Sequence, residues 1–186
     1  MIKLLLSLLI AFASASTNAN AIVSISDIKF IAATKSSGQH IEFTLIPANS
    51  SMKVDAKLKH GIRQSTDFFF VGQHAFFDST GFYALMIVQT PSKKSLGQGF
   101  CGAGTEDYLY LLELNIDQLK VLIRDSLILQ SCLKNISLNE DEGQSIRQRF
   151  KSIDASNGLS VKWLISPKGE NREQLIIVKE GRLVVK

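Results

Sequence analysis

The 186-residue sequence predicts a mainly β protein: a single-domain antiparallel β-sandwich or partly open barrel with one helix near residues 140–155, an α+β arrangement being the alternative. Three observations carry that expectation. Apolar and polar residues alternate in several short stretches. Two longer runs are continuously apolar, as strands covered on both faces are. Gly, Pro, Asn and Asp punctuate the chain between them.

The first element stands outside the fold. Met1-Ile2-Lys3 supplies one positive charge, Leu4 to Phe12 is an apolar run broken by Ser7, and Ala19-Asn20-Ala21 offers the small residues that signal peptidase requires. Residues 1–21 therefore read as a signal peptide cleaved after Ala21, with cleavage after Ala15 as the alternative. A membrane-spanning helix needs about 20 apolar residues, and this run gives way to Ser, Thr and Asn well before that, so no membrane anchor is expected. The expected location is the bacterial periplasm, the alternative being a eukaryotic secreted protein. In that case Asn49-Ser50-Ser51 and Asn135-Ile136-Ser137 become glycosylation acceptors.

Residues 22–186 make one domain, long enough to bury a core. His40 to Leu45 alternates, with Ile41, Phe43 and Leu45 on one face, and Lys53 to Lys59 alternates with charges opposite; both are predicted as half-buried strands. Five of the 11 Phe residues fall between Asp67 and Asp78, predicted as a hairpin turning at Gly72-Gln73. Phe68 and Phe70 share a face there, which leaves Phe69 as an exposed aromatic suited to protein contact. Phe82 to Thr90 and Tyr108 to Leu114 are the central strands. Asn139 stands three residues before Glu142, and Ile146, Phe150 and Ile153 form one stripe, predicting a helix from Glu140 to Ala155 that ends at Asn157-Gly158. Further strands are predicted at Leu159–Trp163, Leu175–Val178 and Leu183–Val185, with turns at Pro167–Arg172 and Glu180–Arg182.

Cys101 and Cys132 are the two cysteines, and an oxidising compartment favours joining them. If Tyr108–Asn115 pairs with Leu119–Leu133 as a hairpin, Cys101 faces position 133, and one bulge near Gly102 or Gly104 closes the gap. The expectation is a disulfide Cys101–Cys132, which in the chain-entropy account is worth about 3 to 4 kcal/mol.

Other chemistries fail on context. Gly97 to Gly102 matches G-x-G-x-x-G, but it leads into the Tyr108–Leu114 strand rather than into a helix, so neither a nucleotide nor any other cofactor is expected. His40, His60 and His74 show no metal-ligand spacing, an oxidised cysteine cannot act as a nucleophile, and no G-x-S-x-G elbow occurs, so no catalytic residue and no metal is assigned. Once Lys3 is removed, 20 basic residues face 17 acidic ones without a dense stripe, which argues against a nucleic-acid partner.

The longest irregular stretch, Pro91 to Asp107, is the expected partner-binding loop, carrying Lys93, Lys94, Gln98, Phe100, Glu106 and Asp107. The expected function is a non-enzymatic, exported protein-binding module of the inhibitor or immunity kind, its partner a protein of the periplasm or envelope. The alternatives are an envelope hydrolase, marked by a histidine meeting a carboxylate in a concave pocket, and an envelope assembly component, marked by an exposed, uncharged edge strand.

Overall fold

The computed structural model describes residues 28–35, 38–46, 49–92, 104–139, 146–151, 153–167 and 172–186. The expected leader, the loop positions Lys93, Lys94, Gln98, Phe100 and Cys101, and the acidic start of the expected helix at Glu140 lie outside the described residues. In chain order the elements are β1 (Ile28–Lys35), β2 (Gly38–Leu45), β3 (Ser50–Ser51), β4 (Lys53–Val54), α1 (Ala56–Gln64), β5 (Asp67–Asp78), β6 (Gly81–Pro91), β7 (Thr105–Asn115), β8 (Lys120–Ser131), β9 (Ser137–Leu138), α2 (Ile146–Lys151), β10 (Leu159–Ile165), β11 (Arg172–Lys179) and β12 (Arg182–Val185). The fold is mainly β, with sheets curled into half-barrels.

A five-stranded sheet, ordered β4-β8-β7-β6-β5, forms the middle layer. Its central strands are apolar on both faces because both faces are covered. From β6 and β7, Leu85, Ile87, Leu109 and Leu111 point into one core, where they meet Leu159, Val161, Trp163 and Ile176 of the four-stranded sheet β12-β11-β10-β9, together with Phe150 of α2. Met86, Val88, Leu112 and Leu114 point the other way, onto Ile41 and Phe43 of the β1-β2-β3 sheet and Leu58 and Ile62 of α1.

Four expectations are corrected. Only Lys53 and Val54 of the Lys53–Lys59 stretch are strand; the rest opens α1. The Asp55 carboxylate accepts hydrogen bonds from the Lys57 N–H at 2.7 Å and the Leu58 N–H at 3.3 Å, which satisfies the helix start. Leu58 and Ile62, four residues apart, then bury one helical stripe. Over so few residues, alternation and helical spacing read alike.

The Phe-rich segment does not turn at Gly72-Gln73. β5 runs straight through to Asp78, with a bulge between Val71 and Phe76. Gly72 serves that bulge with φ 74°, and a Cβ there would lie 2.5 Å from the Ile153 carbonyl oxygen. The turn comes at Ser79-Thr80, where the Asp78 carboxylate takes the Thr80 N–H at 2.7 Å. Phe69 does face away from Phe68, but into the core that holds Trp163, and is 5% exposed, so it is no surface anchor. Phe77 is the exposed ring of this segment, at 57%, tilted 58° against the Phe82 ring across the hairpin.

Within the described part of the expected helix, only Ile146–Lys151 is α-helical, and a 3-10 turn follows at Ala155–Asn157. Arg147 fixes this helix to β5: it pairs with Asp67, donates to the Phe68 carbonyl at 3.1 Å and lies over the Phe69 ring. The β7–β8 hairpin pairs Asn115 with Lys120 near its turn but Glu106 with Ser131 at its far end, because β8 carries two bulges.

Candidate functional site

The site follows from a parting of strands. β2 and β3 begin as partners: Thr44 pairs with Ser51, Leu45 with Ser50, and the Met52 N–H donates to the Phe43 carbonyl at 2.9 Å. Past that point Lys53 and Val54 join the middle sheet, parallel to Lys120 and Val121 of β8, while β2 continues along β1 toward Gly38. The capped start of α1 then carries the chain back over the core. The wedge left between β2, β4 and α1 is a cleft of about 560 Å³, within the range of ordinary ligand sites.

Ile41, Met52, Val54 and Ile62 form its apolar floor, each buried. Polar groups rim it. His40 and Glu42 stand two apart on β2, with His40 Nε2 and Glu42 Oε2 3.7 Å from each other. Across from them are Lys53, Lys59 and Arg63, all exposed. Among the described residues no carboxylate lies within ion-pair distance of these three cations. Lys59 and Arg63 are also four apart on one helix face, where like charges repel. The cleft therefore offers positive charge over an apolar base.

Several predicted site residues fall elsewhere. Glu106 and Asp107 are 6% and 0% exposed, so neither presents a surface to a partner. Glu106 accepts hydrogen bonds from the Ser92 hydroxyl at 2.8 Å and the Leu133 N–H at 3.2 Å. Burial pushes its carboxyl up, but hydrogen bonds from Ser131, Ser92, Leu133 and Cys132 outweigh it and hold the group below the usual glutamate range. Asp107 accepts from Gln89 Nε2 at 2.9 Å. These two acids bind the ends of β6, β7 and β8 together. Cys132, half-buried beside them, is not a free thiol. A Cβ on Gly104 would sit 2.8 Å from the Cys132 Cβ, so glycine is needed where the two segments meet.

The histidines lie on three elements: His40 is on β2, His60 is exposed on α1 outside the cleft, and His74 falls in β5. Sequence reasoning missed Lys53, Lys59 and Arg63 as a group. The available signal was Asp55, a helix cap that places Lys59 and Arg63 on one stripe. Among the described residues no cluster of His, Cys, Asp and Glu suits a metal ion, and no helix is long and apolar enough to cross a membrane.

Comparison with protein-family models, with curated proteins and with solved structures finds no match for this chain.

Proposed function

We propose that the chain is an exported, non-enzymatic protein-binding module of the periplasm, of the inhibitor or immunity kind, and that the cleft between β2 and α1 takes an anionic part of its partner. The observation that carries this reading is the set of three cations, Lys53, Lys59 and Arg63, with no carboxylate partner among the described residues, over the apolar floor of Ile41, Met52, Val54 and Ile62. Like-charged neighbours with no countercharge lower stability slightly, and a binding partner that supplies the countercharge accounts for them. Export rests on the Lys3 charge, the Leu4–Phe12 run and the small residues before Ile22. The bond Cys101–Cys132 belongs to the same proposal, supported by there being two cysteines in the chain and by Cys132 not being a free thiol.

The test is retention of periplasmic proteins on the immobilised mature chain, with Lys59→Glu/Arg63→Glu compared with Lys134→Glu, a charge reversal in the β8–β9 turn. The expected result is a discrete partner held by the parent and by Lys134→Glu, and lost by the double variant. Retention indifferent to the double variant overturns the cleft. Mass measurement after alkylation without reductant checks the cross-link, two labelled thiols being the contrary outcome.

One observation favours a hydrolase: His40 meets Glu42 at the cleft, as the alternative requires. Among the described residues lining the cleft, the one hydroxyl is that of Ser51. Ser51, also at the cleft, lies opposite Thr44, four residues along β2 from His40, a separation of about 13 Å at the strand repeat. Cleavage of the retained partner that stops with His40→Ala would establish the hydrolase and displace the binding module.

A further inference from the structure

We propose that the cleft takes its partner as a strand: an extended segment of alternating aliphatic and acidic residues that adds to the free edge of β2 at Gln39–Glu42. This inference rests on the cleft reading and goes beyond it by assigning the backbone of β2, as well as the cations, to recognition.

The edge follows from the register. Phe43 accepts from the Met52 N–H, so the peptide groups of Phe43 face β3. Strand geometry repeats every second residue, so the N–H and C=O of Ile41, and those of Gln39, face the same side. There, β3 has ended. β2 pairs with β1 along its whole length on the other side, yet on this side only Thr44 and Leu45 have ladder partners among the described residues. Ile41 also lines the cleft, and on the side away from β1 its peptide groups have no ladder partner among the described residues. An added strand would continue the line of β3, replacing the partner that β2 loses where Lys53 turns away to β8.

Open edges invite indiscriminate pairing, and proteins block them. Two other edges of this molecule are blocked. On the outer side of β5, Arg147 donates to the Phe68 carbonyl at 3.1 Å. On the outer side of β12, the Asp125 carboxylate takes the Leu183 N–H at 2.8 Å. No such side-chain cap reaches Ile41 among the described residues, and the charges beside it select rather than seal.

Charge identifies the occupant. Lys53, Lys59 and Arg63 would repel the same edge of a second copy, which carries the same cations, and would attract carboxylates. In a strand, alternate side chains point to opposite faces. Acidic residues could therefore reach the cations while the intervening aliphatic ones meet Met52, Val54 and Ile62, the mode of strand addition in which backbone bonds give affinity and alternate side chains give specificity.

The test uses fluorescein-labelled acetyl-Val-Glu-Val-Glu-Val-Glu-amide with the mature chain, read by anisotropy and by hydrogen exchange at the Ile41 amide. Two derivatives are N-methylated, one on the valines and one on the glutamates. The parent peptide is expected to bind and to slow exchange at Ile41. One methylated isomer should lose at least about tenfold in affinity and the other should not, because only one set of N–H groups faces the edge. A Val-Lys peptide should not bind. Equal binding by both methylated isomers overturns strand addition, and the cleft reading then stands if Lys59→Glu/Arg63→Glu still abolishes binding. Binding unaffected by that double variant overturns both. No binding up to about 1 mM overturns the strand proposal, and a concentration-dependent dimer that protects Ile41 without peptide overturns the choice of occupant.

Discussion

On one face of the middle sheet Trp163 is fully buried and its indole N–H is bonded to the Leu129 carbonyl at 2.9 Å, while on the other Ile41, Met52 and Val54 stop at the wall of a cleft. The first face is covered by a four-stranded sheet tied down at its margins. Asp125 holds the Leu183 N–H, Asp78 holds the Gly181 N–H at 3.3 Å, and Arg147 fixes α2 to β5. The second face is covered by a short sheet and a nine-residue helix that pack together at β2 yet leave a cleft between β2, β4 and α1. The difference separates two tasks. Side chains against the closed face hold the fold, and those beside the cleft are free to carry uncompensated charge.

Truncation should divide the two faces most sharply. Trp163→Ala removes a fully buried ring and leaves the Leu129 carbonyl without its donor, a loss of about 3–5 kcal/mol. Met52→Ala, at the cleft floor where solvent can enter the space, should cost about 2 kcal/mol, the low end for its type. Guanidinium denaturation midpoints measure both. Equal losses would mean that the cleft is as tightly closed as the opposite core.

Glu106→Gln should follow, at about 1–3 kcal/mol, because it weakens a buried acceptor of several hydrogen bonds. The native carboxyl is held below its ordinary range, so its contribution is complete above that range and is lost as pH falls from there through the lowered native value. The stability gap between parent and variant should therefore narrow on titration from about pH 7 to about pH 3. A gap that stays constant would remove Glu106 from the acid response. Asp55→Ala acts on the other face. Losing the cap of α1 should cost about 1 kcal/mol and loosen the helix that carries Lys59 and Arg63. Faster amide exchange at Leu58 would report it, whereas unchanged exchange would mean that packing of Leu58 and Ile62 alone holds the helix.

How legible each feature is in the sequence depends on how much of the chain it spans. The central strands are legible because Phe82–Thr90 and Tyr108–Leu114 are long enough for continuous apolarity to mean coverage on both faces. That same coverage places Phe69 inside. An exposed Phe69 would require β5 to have one dry side and one wet side, and its neighbours in the middle sheet have two dry ones. Gly72 marks a break, but a glycine suits a bulge or a turn equally well, and the approach of the Ile153 carbonyl that decides between them comes from 81 residues away. The cleft itself is not legible, although the Asp55 cap that sets Lys59 and Arg63 on one stripe is. It arises where Lys53 leaves β2 for β8, a pairing choice made by contacts distant in sequence, and its cations are drawn from two elements. Glu106 and Asp107 look like loop carboxylates because their donors, Ser92, Gln89 and Leu133, lie 14, 18 and 27 residues away.

The smallest expected effect speaks most directly to the separation of tasks. Lys59 and Arg63 repel across one helical turn, and Lys59→Glu converts that repulsion into an attractive pair with the acid on the N-terminal side, the favourable order. The variant should be more stable than the parent by about 0.3 kcal/mol, with the gain shrinking as salt is added. It should also bind the acidic segment more weakly, because a carboxylate now stands where a cation did. A side chain whose replacement improves the fold and impairs binding is one the fold did not require. If Lys59→Glu instead destabilises the chain, Lys59 is contributing to packing through its aliphatic stem. The cleft would then belong with the closed face as part of the scaffold.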